Sequence, residues 1–352
     1  MNSIIKEDDI IKFVKNNFNC TEVTGLDRLT GGLLNVVYRV FSDRGSVIYK
    51  HAPPFIATNP EIKLDPSRIR IEAECLKIIP DLLIDYFASH SLSIPELLAY
   101  DDANKQMIME DIKDSVDLEA NLKTHGDNVG KGGYELGNFI SLLHKKSLNK
   151  TKISQDINNV HIRKTRNELQ YMNIAVLSKH FCLEDHDKIG RICSELGRKF
   201  SKPGKCLIMG DLWPRSVLCS NGKLTVIDWE MADFAFPGQD IGHLFAHLWM
   251  NKQFAVSIEH QENIERFIKN FILGYLNNSI LEETDILDAI THFGAEIFAR
   301  TLGAFKDSYF YKGMDTDSNK LVTAVKTASN HIINPKETEL FDRLSICINS
   351  CF

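Results

Sequence analysis

The run Met209-Gly210-Asp211-Leu212-Trp213-Pro214-Arg215-Ser216-Val217-Leu218, followed shortly by Thr225-Val226-Ile227-Asp228-Trp229-Glu230, decides how this chain is read. An apolar stretch, Cys206-Leu207-Ile208-Met209, leads into Gly210-Asp211, and Asn221-Gly222 marks the tip of a short hairpin. Its arms are expected over 216–220 and 224–227, and antiparallel arms bring Asp211 and Asp228 to one end. Phosphoryl transfer uses such a pair, one carboxylate orienting the attacking hydroxyl and accepting its proton, the other holding Mg²⁺ on the nucleotide phosphates. Asp211 takes the first role in this reading and Asp228 the second. Glu230, two residues on along an extended segment, shares a face with Asp228 and adds a second metal ligand. Turn chemistry alone would also place two aspartates at the ends of a hairpin.

Working outward, the first third of the chain is strand-like and the rest mostly helical. Asn35 to Phe41 and Ser46 to Ala52 alternate apolar and polar residues around a Ser42-Asp43-Arg44-Gly45 turn. Pro95 to Tyr100 and Gln106 to Ile112 repeat the arrangement around Asp101-Asp102-Ala103-Asn104. Between the hairpins, Asp65-Pro66 reads as an N-cap and first helical position, opening a helix through Ile71, Glu72 and Leu76 to about Pro80. Later, Leu136, Phe139, Ile140 and Leu143 fall on one helical face. Amphipathic helices are expected over 262–276, 285–305 and 319–333. The pattern predicts an α+β chain of two lobes, a sheet-bearing lobe over 1–111 and a helical lobe over 112–352.

The 352 residues hold 41 Lys+Arg against 47 Asp+Glu, a formal net charge of −6, which speaks against a nucleic-acid partner. The N-terminus mixes acids and bases without a signal-peptide pattern, and no apolar run is long enough for a membrane span. Eight scattered cysteines without a CxxC pair suit reduced thiols in the cytoplasm. Cys347 and Cys351 read as small apolar residues on one helix face. His243 and His247, four apart on a helix, lack the Glu of H-E-x-x-H and read as packing histidines.

The block around Asp211 resembles the H-G-D-L-H-x-x-N catalytic loop of the aminoglycoside phosphotransferase and choline kinase group of kinase-like small-molecule kinases. Leu29-Thr30-Gly31-Gly32-Leu33-Leu34-Asn35-Val36 resembles a nucleotide loop of that group, and Lys50-His51-Ala52-Pro53-Pro54 its lysine strand. Met107-Ile108-Met109-Glu110-Asp111 resembles the hinge, Asp228-Trp229-Glu230 a D-x-E metal motif and Asp240-Ile241-Gly242 the D-[IL]-G after it. The matches run in the family's order over roughly residues 26 to 245. Within the group the chain is similar to methylthioribose kinases and to fungal hydroxytryptamine kinases. The resemblance implies a two-lobed protein-kinase-like fold and an ATP-dependent transfer of the γ-phosphate to the hydroxyl of a small-molecule alcohol. Gly31, Gly32 and Asn35 then belong to the nucleotide loop, and the hinge backbone near Glu110 and Ile112 reads adenine. Lys50 contacts the phosphates and pairs with Glu72, with Glu74 as the alternative, while Asp228, Glu230 and Ser216 hold Mg²⁺. Asp240 is expected to brace the catalytic loop.

Met209 and Trp213 stand where the family has histidines, and Ser216 where most members have Asn. A serine hydroxyl still offers oxygen to Mg²⁺. Trp213 reads as substrate wall, and Arg300 as the remaining member of a pair of adjacent arginines found in methylthioribose kinases. Asp233, Phe234, Phe236, Trp249, Phe305 and Tyr309 are a candidate pocket for an amine. The acceptor is thus a methylthioribose-like sugar or a hydroxylated amine, and the oligomeric state is left open. A nucleotide-binding pseudokinase acting as an interaction module is the alternative. Retention of Lys50, Asp211 and Asp228 together argues against it.

Overall fold

The computed structural model describes residues 5–30, 32, 34–124, 128–181 and 183–348. Gly31 and Cys351 lie outside the described residues. Helix α1 (Glu7–Phe18) precedes strands β1 (Val23–Arg28), β2 (Val36–Ser42) and β3 (Gly45–His51). Then come α2 (Arg68–Leu82), β4 (Leu92–Ser93), β5 (Leu97–Asp101), β6 (Gln106–Glu110) and β7 (Val116–Asp117). The first sheet is antiparallel in the order β1-β2-β3-β6-β5. β2 and β3 pair from Val36↔His51 to Ser42↔Gly45, so the hairpin turn lies where the alternation ends. Lys50 sits in β3 beside Val37 on one side and Met107 on the other.

α2 starts two residues later than Asp65-Pro66 suggests. Asp65 Oδ1 instead accepts the Ser67 N–H at 2.7 Å, so aspartate and proline form the turn before the helix. Pro80 lies inside α2, which runs on to Leu82. The later start places Arg68 in the first helical turn, four residues before Glu72 and on the same face.

The second part is built on α3 (Val129–Ser147), whose Leu136, Phe139, Ile140 and Leu143 are all fully buried. A helix α4 (Val160–Arg166) runs directly into a π-turn over Asn167–Met172. Strand β8 (Cys206–Ile208) leads into the loop that carries Asp211, followed by β9 (Val217–Ser220), β10 (Lys223–Val226) and β11 (Asp233–Ala235). Asn221 and Gly222, both with positive φ (50° and 72°), make the hairpin tip. β4 pairs in parallel with β10, so a second sheet of order β4-β10-β9-β7 joins segments from both sides of Asp111. Helices α5 (Gly238–Gln253), α6 (Ile258–Leu276), α7 (Glu283–Thr301) and α8 (Asn319–Ile333) complete the core. No helix among the described residues is long and apolar enough to cross a membrane. Among the described residues, Cys20, Cys75, Cys193, Cys206 and Cys219 are free thiols, and Cys347 is buried.

Candidate active site

Strand pairing and loop closure converge on Lys50. Its Nζ lies 2.7 Å from Glu72 Oε2 and 2.7 Å from Asp228 Oδ1, and the lysine is only 2% exposed. Glu74 instead pairs with Lys77 at the surface. Burial alone would pull the Lys50 ammonium down, but Asp228, Glu72 and Glu230 outweigh it and hold the group above the usual lysine range. Burial pushes the Glu72 carboxyl up, Lys50 opposes the rise, and Asp228 and Glu230 add to it. Glu72, Asp228 and Glu230 face Lys50 and Arg68, three carboxylates against two cations, which leaves one negative charge in excess. Asp228 adopts a left-handed backbone (φ 64°) that a non-glycine residue holds only when its surroundings enforce it, and its side chain stays 47% exposed.

Glu230 is tied to the first sheet. Its Oε2 accepts Asn35 Nδ2 at 2.6 Å and pairs with Arg68 Nε at 3.2 Å. Arg68, 1% exposed, also donates to the side chain of Asn35 and to the carbonyls of Leu34, Pro53 and Asp65. One guanidinium therefore joins the segment after Gly32 to the residue two after Asp228. A Cβ added at Gly32 would meet nothing within 4 Å, so the described part of this loop is open where phosphates would approach. Glu110 ends β6 with its side chain exposed, and Ser115 Oγ donates to the Ile112 carbonyl at 2.8 Å.

Asp211 lies in a loop held from several sides. Asp240, fully buried, accepts the N–H groups of Met209 (2.9 Å) and Gly210 (2.8 Å), and His144 Nε2 at 3.1 Å completes the brace. Gly210 has φ +80°, and a Cβ there would lie 2.1 Å from the Met231 carbonyl oxygen. Arg166 donates to the Gly210 carbonyl at 2.6 Å, and its Nη2 lies 4.0 Å from Asp211 Oδ1. His243 Nε2 is closer, at 3.2 Å. Burial would raise the Asp211 carboxyl, but His243, then Arg166 and Arg300, hold it below the usual carboxylate range. Ser216 Oγ is buried and serves the loop itself, accepting Trp213 N–H (3.1 Å) and donating to the Trp213 carbonyl (2.8 Å). That use leaves the exposed Asp228 and the neighbouring Glu230 better placed than Ser216 to meet an ion.

Beside Asp211, Trp213 is half-buried against His247 and Tyr309, with ring centroids 5.1 and 5.7 Å away. The guanidinium carbons of Arg215 and Arg300 each lie 5.7 Å from the Trp213 ring. Arg215 pairs with Glu119, and Arg300 pairs with Glu296 at 2.7 Å. The six residues suggested for an amine pocket are not brought together. Asp233 forms a buried two-oxygen pair with Arg163, Phe236 stacks on Phe200, and Trp249 packs on Phe293. Ligand atoms of His243, His247 and Glu296 lie within 4.8 Å of one another, close enough to suggest a metal. Glu296 already accepts His247, Arg300 and Gln170 at 3.0, 2.7 and 2.6 Å, so its charge and lone pairs are engaged by donors.

Sequence reasoning missed Arg68, Arg166, His243 and Glu296. Three carried a signal: Arg68 sits four residues before Glu72, Glu296 sits four before Arg300, and Asp240, His243 and His247 share one helical face. Arg166 carries none, because its partners arrive from distant parts of the chain.

With this geometry in view, residues 25–280 match the family model described as the phosphotransferase enzyme family. The chain is 25% identical over 267 residues to a 4-hydroxytryptamine kinase of Psilocybe cyanescens, covering 70% of this chain and 73% of that one. It is 24% identical over 318 residues to a methylthioribose kinase of Geobacillus sp. (strain WCH70), covering 77% and 76%. Among solved structures, a choline/ethanolamine kinase family protein from Mesorhizobium loti shares the fold, with TM-score 0.53, 15% identity and coverage of 97% and 99%. A spectinomycin phosphotransferase in complex with ADP and spectinomycin does likewise, with TM-score 0.52, 15% identity and 99% coverage of both chains.

Proposed function

The chain belongs to the phosphotransferase enzyme family and is a small-molecule kinase, and from that premise we propose which residues carry the transfer and what kind of alcohol accepts the phosphate. The observation that carries the reading is Lys50 clamped between Glu72 and Asp228, with Asp211 across the loop hairpin. Asp211 orients the acceptor hydroxyl and takes its proton as the oxygen bonds to the γ-phosphorus. The bond from that phosphorus to the β-phosphate oxygen breaks, and ADP leaves with the electron pair. Lys50 holds the phosphates and Glu72 holds Lys50. The nucleotide loop around Gly31, Gly32 and Asn35 covers the phosphates with backbone N–H groups. The hinge at Glu110 and Ile112 receives adenine.

The surplus of carboxylate around Lys50 fits a hard divalent cation that prefers oxygen ligands. Asp228 and Glu230 would hold Mg²⁺, which neutralises charge on the triphosphate when bound. Ser216 shapes the loop between them. A lobe boundary near Asp111 puts the nucleotide between the first sheet and the catalytic loop. We place its action in the cytoplasm, where thiols such as those of Cys75, Cys193 and Cys206 stay reduced.

The acceptor we infer is a polyhydroxylated, sugar-like alcohol. Carboxylates beside Trp213 are already paired with arginine, Glu119 with Arg215 and Glu296 with Arg300. Both guanidiniums also lie over the aromatic faces that would receive an ammonium group. ADP release from Mg·ATP with methylthioribose, 4-hydroxytryptamine, choline and ethanolamine tests this. Turnover of the sugar is expected, and preferential turnover of an amine would overturn the acceptor assignment.

A further inference from the structure

We propose that His243 is the positioning residue of Asp211, and that Glu296 anchors His243 in turn. A carboxylate–imidazole–carboxylate chain thereby lies beneath the proton-accepting aspartate. The inference rests on the role given to Asp211 above and deepens it.

His243 projects from α5 between two acids. Nε2 lies 3.2 Å from Asp211 Oδ1, and Nδ1 lies 3.7 Å from Glu296 Oε2. The residue is 2% exposed, so water does not compete for either nitrogen. Neither nitrogen makes an aligned hydrogen bond in this structure. A buried polar atom in that condition is costly, and a small turn of the ring toward the two carboxylates would relieve the cost. Hydrogen bonds at catalytic groups are often loose without substrate and tighten when it binds.

The anchor is rigid. Glu296 is 2% exposed and receives Arg300 from its own helix, His247 from α5 and Gln170 from the π-turn. His292 stacks on the His243 ring at 5.6 Å and 20°, and the His247 ring lies 4.8 Å from it, tilted by 42°. His292 is fixed by Tyr171, whose hydroxyl is 2.8 Å from His292 Nδ1. The remaining charged neighbours, Arg166 and Arg300, act on Asp211 as well, but Arg166 Nη2 is at 4.0 Å, beyond hydrogen-bond reach. His243 Nε2, at 3.2 Å, is near enough to set the rotation of the Asp211 carboxylate. A donor at Oδ1 turns Oδ2 toward an incoming hydroxyl, a role distinct from packing.

The test has two arms. In full-length protein labelled with ¹⁵N-histidine, with the His243 signals assigned by their loss in His243→Gln, an N–H is expected on Nε2, facing Asp211, and another on Nδ1, facing Glu296. Asp211→Asn should shift those signals while leaving those of His144 in place. A bare Nε2, or His243 signals indifferent to Asp211→Asn, would overturn the proposal without any substrate being known. In the kinetic arm, His243→Leu should lower kcat about 10- to 100-fold with the KM for ATP unchanged. His243→Gln, which offers a donor at nearly the Nε2 position, should recover most of the loss. Equal losses in the two variants would also overturn it. If the wild-type protein turns over no acceptor, the kinase assignment fails while the spectroscopic arm still decides the role of His243.

Discussion

Replacing Arg68 by Met removes the clasp between the nucleotide loop and Glu230 while keeping most of the side-chain volume. The lost interactions are the pair with Glu230 (3.2 Å) and bonds to Asn35 Oδ1 and to the carbonyls of Pro53, Asp65 and Leu34 at 2.8–3.1 Å. Removing one partner of a buried ion pair typically costs about 3–5 kcal/mol. The three carbonyls lie near a loop that water can reach once the arginine is gone, so their loss is not added in full. A net cost of about 4 kcal/mol follows, and at about 2 °C per kcal/mol for a long chain this lowers Tm by about 8 °C. Differential scanning fluorimetry with and without Mg·ATP measures both the drop and the nucleotide's protection, which should also shrink because Asn35 and Leu34 lose their support. Arg68→Lys keeps the charge but not the fork, so it should recover only part of the loss. A Tm within 2 °C of wild type, with full protection by ATP, would refute the clasp.

Other perturbations separate loop geometry from charge. Gly210→Ala puts a methyl group against the Met231 carbonyl oxygen at a positive φ, so activity should fall at least about tenfold, and unchanged kcat would show that the loop relaxes freely. His247 is pulled down to about 4, chiefly by burial, with Glu296 opposing the shift and Arg300 and His243 reinforcing it. Between pH 6.5 and 4 the unfolded chain binds a proton at this residue that the folded chain does not. Stability should therefore fall as pH drops through that window, by about 3 kcal/mol from this histidine. His292 acts in the same direction. Urea unfolding of wild type and His247→Gln across pH 7 to 4.5 reads the difference, and identical slopes would contradict it.

Much of the candidate site was legible because it is local. The Asn221-Gly222 tip and the apolar run into Gly210 place Asp211 and Asp228 around one hairpin, and Asp240 follows at a spacing that lets it brace the loop. Helix start positions were less legible, since Asp65 caps a turn as readily as a helix and only the bond to Ser67 separates the two. The chemistry of Ser216 depends on where its hydroxyl points, which a sequence pattern does not encode. Asp233 looked available until the fold brought Arg163 to it from 70 residues away. His243 read as packing because the acids on either side of it come from another loop and another helix.

The most direct test of the account is ADP release from Mg·ATP by wild type and Asp211→Asn, alongside thermal protection by ATP. Loss of turnover by at least about a hundredfold with protection retained is the predicted result. Turnover that survives Asp211→Asn would contradict it.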